Sequence, residues 1–352
     1  MSKNGGALPD RFETLLARFS SQRILVVGDM VADEYIFGAP QRISREAPVV
    51  ILEFSRRIMV PGGATNVAVN LRALGAQVAV VGVIGADDAG TELRGTLEAL
   101  GIDTRGLIVD PTRPTSTATR IIGGGVQVVQ QQIVRIDRIV SELVVGQTKD
   151  HLLRALEQAL LSTTGVILSD YEHGVLDPAI TAQCLADASR RGLISTVDAH
   201  GDLLRFKGVT LATPNQPEAE VAVGRRLAND VDLRAACQEL LTGMDAAGIL
   251  ITRGAQGMVA LDDLGTFNIL PAYNLVEVRD ATGAGDTVAS TATLALCAGG
   301  TLAEAAVMGN AAAALVVRHF GAATVTPPEL ASALAEVQGR AGAPGTSAPL
   351  GD

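Results

Sequence analysis

The stretch DATGAGDTVAS at residues 280–290 decides how the rest of the chain is interpreted. It places Gly283, Ala284 and Gly285 before a single acid, Asp286, at the start of an apolar, alanine-rich run. A glycine-rich turn at a helix N-terminus leaves backbone N–H groups uncovered, and the helix dipole there favours an anion such as phosphate. A carboxylate beside that anion is useful when it takes a proton from a hydroxyl that attacks the phosphate. For the motif alone, an ordinary glycine turn with an acid at the helix start is the equal alternative.

Short apolar runs that end in Gly, Asp, Asn or Thr recur along the chain, as expected for buried strands with polar tips. Helix-like segments such as TKDHLLRALEQALLS and DPAITAQCLADASRRG lie between them, and the second begins with an Asp-Pro cap pair. This alternation predicts an α/β fold with a mostly parallel central sheet and helices on both faces. Ligands of such sheets bind beyond the carboxyl ends of the strands. The short apolar runs that predict these strands lie at residues 23–29, 76–88, 165–170, 193–199, 209–215 and 247–254.

Two regions rich in β-branched residues interrupt the alternation. Residues 47–60 and 115–137 lack a helical period, and the second contains GGG between two alternating runs, which indicates a hairpin. We expect one α/β domain over residues 1–340 with a small inserted β lid, whose strands come from about 36–60 and 115–137. The alternative is that these segments are edge strands of the main sheet. The last residues, 341–352, are rich in Gly, Ala, Pro and Ser and are predicted to be disordered.

Composition excludes several classes of protein. Of the 352 residues, 47% are hydrophobic and 3% aromatic, so Ala, Val, Leu and Ile must build the core. The net charge of −10 gives no broad attraction for nucleic acid or an anionic membrane. Three scattered cysteines indicate neither a disulfide framework nor a metal site. With no signal-peptide pattern and no membrane-spanning run, we expect a cytoplasmic protein.

Further candidate residues lie near the start of the chain. PGGATNVAVNLRALG opens a helix with Gly62 and Gly63, which allow close backbone approach, and carries Asn66 one turn in. GDMVADEY ends a strand with Asp29 and Asp33, and carboxylates in such a place suit hydrogen bonds to sugar hydroxyls. A plain turn before a helix and loop acids in solvent are the alternatives.

A fourth stretch, TPNQPE, places Asn215 and Glu218 three residues apart at another strand end. This spacing could orient a Mg²⁺-water cluster beside phosphates. The chain has no G-x-x-x-x-G-K-[ST], so it is not a P-loop enzyme. It also has no G-x-G-x-x-G after the first strand, which argues against a dinucleotide dehydrogenase.

Together, PGGATNVA and DATGAGDT resemble the ribokinase-like (pfkB) carbohydrate kinases, and the similarity spans about residues 22–335. The resemblance implies the ribokinase-like fold and an enzyme that uses ATP and Mg²⁺, with a monovalent cation such as K⁺ as a further candidate cofactor. It implies that Asp286 deprotonates the sugar hydroxyl and that Gly283, Ala284 and Gly285 form the anion hole. It also implies that the β lid forms a homodimer interface. The remaining implied roles are sugar binding by Asp33, Gly62, Gly63 and Asn66, nucleotide binding by Asn215, Thr252, Gly254, Gly309 and Asn310, and a water-mediated Mg²⁺ contact by Glu218.

Within that family, GDMVADEYIFGAPQRISREAPVVIL, VRIDR and LSDYEHGVL are similar to the kinases of ADP-heptose synthesis. These phosphorylate D-glycero-D-manno-heptose 7-phosphate at the 1-position, on the route to the lipopolysaccharide core. Two departures remain, because His173 and His200 stand where that pattern has Lys. The alternatives are another pfkB-type sugar, sugar-phosphate or nucleoside kinase, or a non-catalytic sensor on the same fold.

A phosphorylated sugar requires cations away from Asp286. Arginine suits phosphate because its planar fork matches two phosphate oxygens. The candidates are Arg42, Arg45, Arg120, Arg135 and Arg138. The alternative for any one of these side chains is a solvated charge on the lid or an ion pair within a dimer.

Overall fold

The computed structural model describes residues 8–125, 128–273, 278–319 and 321–341. In chain order the strands are β1 (Arg23–Gly28), β2 (Met30–Ile43), β3 (Val50–Gly63), β4 (Gln77–Gly85), β5 (Asp103–Asp110), β6 (Ser116–Gly125), β7 (Val128–Arg138), β8 (Gly165–Asp170), β9 (Ile194–Ala199), β10 (Leu211–Ala212), β11 (Gly248–Thr252), β12 (Met258–Asp262) and β13 (Phe267–Leu270). The helices are α1 (Leu8–Ala17), α2 (Ala64–Ala73), α3 (Asp88–Ala99), α4 (Gly146–Leu160), α5 (Pro178–Arg191), α6 (Gln216–Val223), α7 (Asp230–Met244), α8 (Ala284–Cys297), α9 (Leu302–Val316) and α10 (Pro327–Ala341). The predicted disordered tail lies, from residue 342 onward, outside the described residues.

Nine strands form the main sheet in the order β13-β12-β11-β10-β9-β8-β1-β4-β5. The pairings from β11 to β5 are all parallel, and β12 and β13 add two antiparallel strands at one edge. Every residue of β8 is buried, and so are the last five of β1, because helices cover both faces of the sheet. The predicted α/β fold with a mostly parallel sheet is therefore confirmed.

The helices bury apolar stripes on this sheet. In α4 the residues Leu152, Leu156 and Leu160 are buried at helical spacing, and each contributes about 1.5–3 kcal/mol of transfer free energy. Helix α5 begins as predicted, with the Asp177 side chain capping Ile180 N at 2.8 Å and Pro at the first helical position. Helices α8 and α9 pack against each other, and most of their side chains are buried. This packing fixes the N-terminus of α8 against the sheet.

A second sheet of four strands, in the order β3-β2-β6-β7, lies apart from the main sheet. Strands β2 and β3 are antiparallel, as are β6 and β7, while β2 and β6 run parallel from Val31 to Gly38. Strand β2 follows β1 after one residue, and β3 leads directly into α2. The inserted strands are therefore a separate sheet, not edge strands of the main one, and their inner ends adjoin the carboxyl end of β1.

Several loops meet at the carboxyl edge of the parallel strands. Asp29 follows β1, Asp170 ends β8, Asp198 lies at the end of β9, and Thr213 follows β10. Strand polarity requires these groups to share one edge, and the N-termini of α2 and α8 lie against it.

Across the described ranges, no helix combines the length and the apolar character that a membrane crossing requires.

Candidate active site

Asp286 lies in the first turn of α8 and is 5% exposed. Its Oδ2 accepts a hydrogen bond of 2.5 Å from Asn66 Nδ2, and its Oδ1 accepts one of 3.2 Å from the Tyr171 hydroxyl. Burial raises the pKa of Asp286 to about 6, although both hydrogen bonds act in the opposite direction. The carboxylate is thus held in one orientation with a proton affinity suited to a general base near neutral pH.

The turn before Asp286 is shaped for an anion. Gly283 is the N-cap of α8 with φ 78°, and no side chain caps the helix. A Cβ at Gly283 would lie 2.7 Å from Asn66 Nδ2, so a side chain there would disturb the contact that orients Asp286. A Cβ at Gly285 would meet nothing within 4 Å, and Ala284 is half-buried. Open space above the first-turn N–H groups is the arrangement that lets a phosphoryl group approach the helix terminus.

A cavity of about 260 Å³ lies between this helix terminus and the second sheet. Asn66 reaches it from the first turn of α2, and Gly62 and Gly63 end the strand that leads into that helix. A Cβ at Gly62 would lie 2.7 Å from Asp33 Cγ, so glycine is what allows this carboxylate to approach the backbone. The predicted sugar-binding residues are therefore brought together: Asp33, Gly62, Gly63, Asn66 and Arg120 line the cavity with Asp286.

Arg120 is the most enclosed of the candidate phosphate-binding arginines. Its side chain is 12% exposed, its Nη1 lies 2.9 Å from Asp33 Oδ1, and its guanidinium lies over the Tyr35 ring at 5.2 Å. The Nη1–Asp33 contact is an ion pair between two largely buried side chains. Arg135 also lines the cavity, and its Nε donates to Asp137 Oδ1 at 2.7 Å.

The other three candidate arginines lie outside this cavity. Arg138 is 57% exposed, and its Nη1 is 3.7 Å from Asp87 Oδ2. Arg42 and Arg45 are exposed at the outer end of β2, nine or more residues along the strand from Asp33. At about 3.3 Å per residue, that separation is about 30 Å, which no arginine side chain spans. Within one chain, the structure therefore does not bring Arg42 and Arg45 to the site.

The predicted Asn215 and Glu218 pair forms a capping box at the start of α6. Asn215 Oδ1 accepts from Glu218 N at 2.9 Å, and Glu218 Oε2 accepts from Asn215 N at 2.8 Å. The other oxygen of Glu218, Oε1, lies 2.6 Å from His200 Nδ1, and this hydrogen bond raises the pKa of His200 to about 9. The His200 ring meets Tyr171 edge-on at 4.5 Å, which connects this pair to the ring that contacts Asp286.

The remaining predicted nucleotide residues lie on two further elements. Thr252 ends β11 and bridges to Asn215, and Gly254 follows with φ 54° and open space where a Cβ would project. Gly309 lies on α9, where a Cβ would meet Val288 Cγ1 of α8 at 3.3 Å. Asn310 Nδ2 donates to Pro271 O at 2.8 Å. Gly309 thus has a packing role between two helices, whereas Gly254 presents an uncovered backbone.

The residues present fit Mg²⁺ only as an ion shared with phosphates. Over the described ranges, no three His, Cys, Asp or Glu side chains group closely enough to hold a metal by themselves. Mg²⁺ bound with a nucleotide needs only one or two carboxylates, because water and phosphate oxygens supply the other ligands. Glu218 could supply one such contact through water.

The sequence did not predict roles for Tyr171 and Asp198. Tyr171 contacts Asp286, whereas Asp29, a candidate for contacts to sugar hydroxyls, is instead buried and accepts hydrogen bonds from the loop that carries Tyr171. Burial and the nearby Asp286 charge raise the pKa of Asp198 to about 7. The available signal was position, because all three residues lie at or just after the carboxyl ends of strands. Position in the sequence does not predict which of these loops contact one another.

A family model described as "pfkB family carbohydrate kinase" matches residues 21–329. The chain belongs to the pfkB family of carbohydrate kinases. It is 40% identical over 323 residues to "Bifunctional protein HldE" of Trichlorobacter lovleyi, covering 92% of this chain and 65% of that relative. It is also 40% identical over 343 residues to the protein of that name in Caulobacter vibrioides, covering 95% and 68%. The chain therefore spans about two thirds of these relatives.

Solved structures of other proteins share the fold of this chain. Phosphofructokinase-2 from Escherichia coli in complex with fructose-6-phosphate superposes with a TM-score of 0.72 at 20% identity, covering 90% of this chain and 99% of that one. Arabidopsis thaliana ribokinase complexed with ribose and ATP gives 0.68 at 18% identity, covering 90% and 98%. At these identities the likeness concerns the fold, and it confirms the ribokinase-like architecture of this pfkB chain.

Proposed function

We propose that this pfkB kinase transfers the γ-phosphoryl group of ATP to the 1-hydroxyl of D-glycero-D-manno-heptose 7-phosphate. The observation that carries the proposal is Asp286, a buried carboxylate at an uncapped helix N-terminus, which faces a cavity that Arg120 also enters. The product is the 1,7-bisphosphate, a precursor for ADP-heptose and the lipopolysaccharide core. The similarity to heptose-kinase motifs and to the HldE relatives supports the choice of sugar.

The geometry supports an in-line transfer. Asp286 takes the proton of the 1-hydroxyl, whose oxygen forms a new bond to the γ-phosphorus. The bond from that phosphorus to the β,γ-bridging oxygen breaks, and ADP leaves. We assign to the N–H groups at Gly283, Ala284 and Gly285 the stabilisation of charge on the phosphoryl oxygens during the transfer. Ala284 N donates to Ala281 O at 3.2 Å and would have to leave that bond to take part. Glu218 would hold a Mg²⁺ ion through water, and that ion would supply further neutralisation of the phosphate charge.

On the sugar side, we assign hydroxyl contacts to Asp33 and Asn66. The backbone of Gly62 and Gly63 would form the floor of the sugar pocket. Arg120 and Arg135 are the cations that line the cavity, and we assign the distal phosphate to them. On the nucleotide side, we assign Thr252 and Gly254 to the phosphates. Asn215, Gly309 and Asn310 are proposed to border the nucleotide.

A coupled assay of ADP release with a panel of acceptors tests the proposal. The panel contains heptose 7-phosphate, its dephosphorylated form, fructose 6-phosphate, ribose and nucleosides. We expect strong preference for heptose 7-phosphate and a new anomeric phosphate in the ³¹P spectrum of the product. Equal turnover of phosphorylated and unphosphorylated sugars would reject this substrate and favour another pfkB sugar kinase. Replacing K⁺ by Na⁺ in the same assay tests a monovalent-cation requirement.

We also propose a homodimer formed through the second sheet. Its face exposes large apolar side chains, including Phe54 at 67%, Ile136 at 56% and Ile133 at 51%. Large apolar side chains exposed in this way are typical of an interface. Sedimentation of the wild type should give a dimer mass, and Phe54→Asp should shift it towards the monomer. A wild-type monomer at micromolar concentration would contradict the proposal.

A further inference from the structure

The carboxylate of Asp29 lies inside a tight turn of the main chain. Its Oδ2 accepts hydrogen bonds from Tyr171 N at 2.8 Å and His173 N at 3.0 Å, and its Oδ1 accepts one from Val175 N at 3.2 Å. Asp29 itself is 1% exposed. Three alternate N–H groups that converge on one buried carboxylate form an anion-binding nest, and here the anion belongs to the protein.

The backbone of this turn adopts a conformation that needs external support. Glu172 has φ 61°, a left-handed value that is uncommon for residues other than glycine, and Gly174 has φ 83°. Such a residue persists when its surroundings hold it in place. A Cβ at Gly174 would lie 2.2 Å from Glu142 O, so the turn is also enclosed from outside. The contacts to Asp29 supply the inner support.

The turn carries two side chains to the active site. The Tyr171 hydroxyl donates to Asp286 Oδ1 at 3.2 Å, and His173 lines the sugar cavity with a buried Nδ1 that has no hydrogen-bond partner in the described structure. The main chain of Asp29 supports the other partner of Asp286, because Asp29 O accepts from Ala64 N at 3.0 Å at the start of α2. Helix α2 carries Asn66, which donates to Asp286 Oδ2.

We propose that Asp29 is a positioning residue for phosphoryl transfer, which acts by holding the Tyr171–Val175 turn so that Tyr171 orients Asp286. The inference rests on Asp286 as the general base. Charged neighbours do not provide a simpler explanation. Asp170, the nearest like charge, is paired with Arg205 and accepts Glu172 N at 3.1 Å, and no cation pairs with Asp29 in the described residues.

The test is a double-mutant cycle with Asp29→Asn and Tyr171→Phe, assayed for kcat, for the KM of ATP and of sugar, and for thermal stability. Asn at position 29 retains one acceptor oxygen, but its NH₂ group would face backbone N–H groups that are themselves hydrogen-bond donors. Asp177→Asn is the matched control, since Asp177 is also buried and accepts a backbone N–H, but it caps α5. If Asp29 acts through Tyr171, the two changes share one pathway and their effects on kcat cannot add.

We expect each single variant to lose about 10- to 100-fold in kcat, the range for a lost charge-assisted hydrogen bond. The double variant should be within about threefold of the worse single variant, and the KM of ATP should stay within about twofold. Asp177→Asn should lower thermal stability and leave kcat within about twofold. Losses that multiply in the double variant, or an Asp29→Asn enzyme with the parent kcat, would overturn the inference.

The pH profile provides a readout that simple destabilisation would not move. Tyr171→Phe removes a hydrogen bond that lowers the pKa of Asp286, so the acid limb of kcat should move to higher pH. Asp29→Asn should move the limb in the same direction, and an unmoved limb would contradict a positioning role. If Asp29→Asn does not fold, Asp29→Glu, which keeps the charge, is measured for the same shift. Asp286→Asn separates the positioning role of Asp29 from the general-base role of Asp286. If this variant is fully active, the assignment of Asp286 as the base itself fails.

Discussion

The Asp286→Asn variant should separate catalysis from folding. Asn has nearly the same shape and can still accept from Asn66, but it cannot take a proton. Loss of a positioned general base typically costs about 10²–10⁴-fold in turnover. We expect a loss in that range in kcat, with the affinity for ATP in the absence of sugar nearly unchanged. Asp187→Asn is the control, because Asp187 is 6% exposed on α5 and its ion pair is with Arg190.

The stability of this variant should rise while its activity falls. Burial raises the pKa of Asp286 from 3.8 to about 6, so the folded state disfavours the ionised form. The free-energy cost of ionising Asp286 in the folded state is absent below pH 3.8, where Asp286 is protonated in both the folded and the unfolded state. This cost grows as the pH rises to about 6 and is constant above that pH. At about 1.4 kcal/mol for each pH unit, the cost at pH 7 is about 3 kcal/mol, which Asn does not incur.

Urea unfolding at pH 7 and at pH 4, together with the ADP-release assay, measures both effects. The stabilisation should appear at pH 7 and largely vanish at pH 4. Turnover at the parent rate would refute the assignment of Asp286 as the base. A variant that is inactive and also much less stable at pH 7 would refute the electrostatic argument, because lost activity would then follow from lost structure.

Other predictions concern the pocket walls. Gly285→Val should leave the melting temperature nearly unchanged, since its Cβ meets nothing within 4 Å, yet abolish most turnover by filling the phosphoryl site; an active variant would reject the anion hole. Gly62→Ala should lower both thermal stability and sugar affinity, because its Cβ would lie 2.7 Å from a carboxylate carbon. Arg120→Ala should lower kcat/KM for sugar phosphate about 10- to 150-fold, but Arg42→Ala should do so only if a partner chain supplies that arginine. In the wild type, kcat/KM should fall about tenfold per pH unit below about pH 6 as Asp286 is protonated.

The fold could be predicted because its signals are local. The runs ending at Asp29 and Asp170 are short and apolar, and each ends in an aspartate, as expected for a strand that is buried on both faces and has a polar tip. The Asp177-Pro178 pair predicted the start of α5 from capping chemistry alone. Likewise the small residues before Asp286 predicted an uncapped helix N-terminus, and the structure contains one.

The contacts between loops could not be predicted in the same way. Tyr171 and Asp286 are 115 residues apart, and Asp29 and His173 are 144 apart, so only the sheet order brings them together. The placement of Arg42 also depends on strand length, because β2 extends to Ile43 and carries that arginine away from the cavity. In each case the residue type was visible in the sequence, while the pairing depends on tertiary geometry.

The charged side chains that line the cavity limit which ligands it can bind. Burial lowers the pKa of His173, so its imidazole adds no permanent charge to the cavity. His200 carries its proton towards Glu218, so its charge is already compensated. Among the described residues, Arg120 and Arg135 are therefore the permanent cations that line the cavity, and Asp33 and Asp137 pair with them. A substrate phosphate would exchange with Asp33 for Arg120 Nη1, which lies 2.9 Å from Asp33 Oδ1, whereas a neutral sugar could only form hydrogen bonds beside that ion pair. The proposed phosphorylated sugar therefore requires this exchange of anions at Arg120.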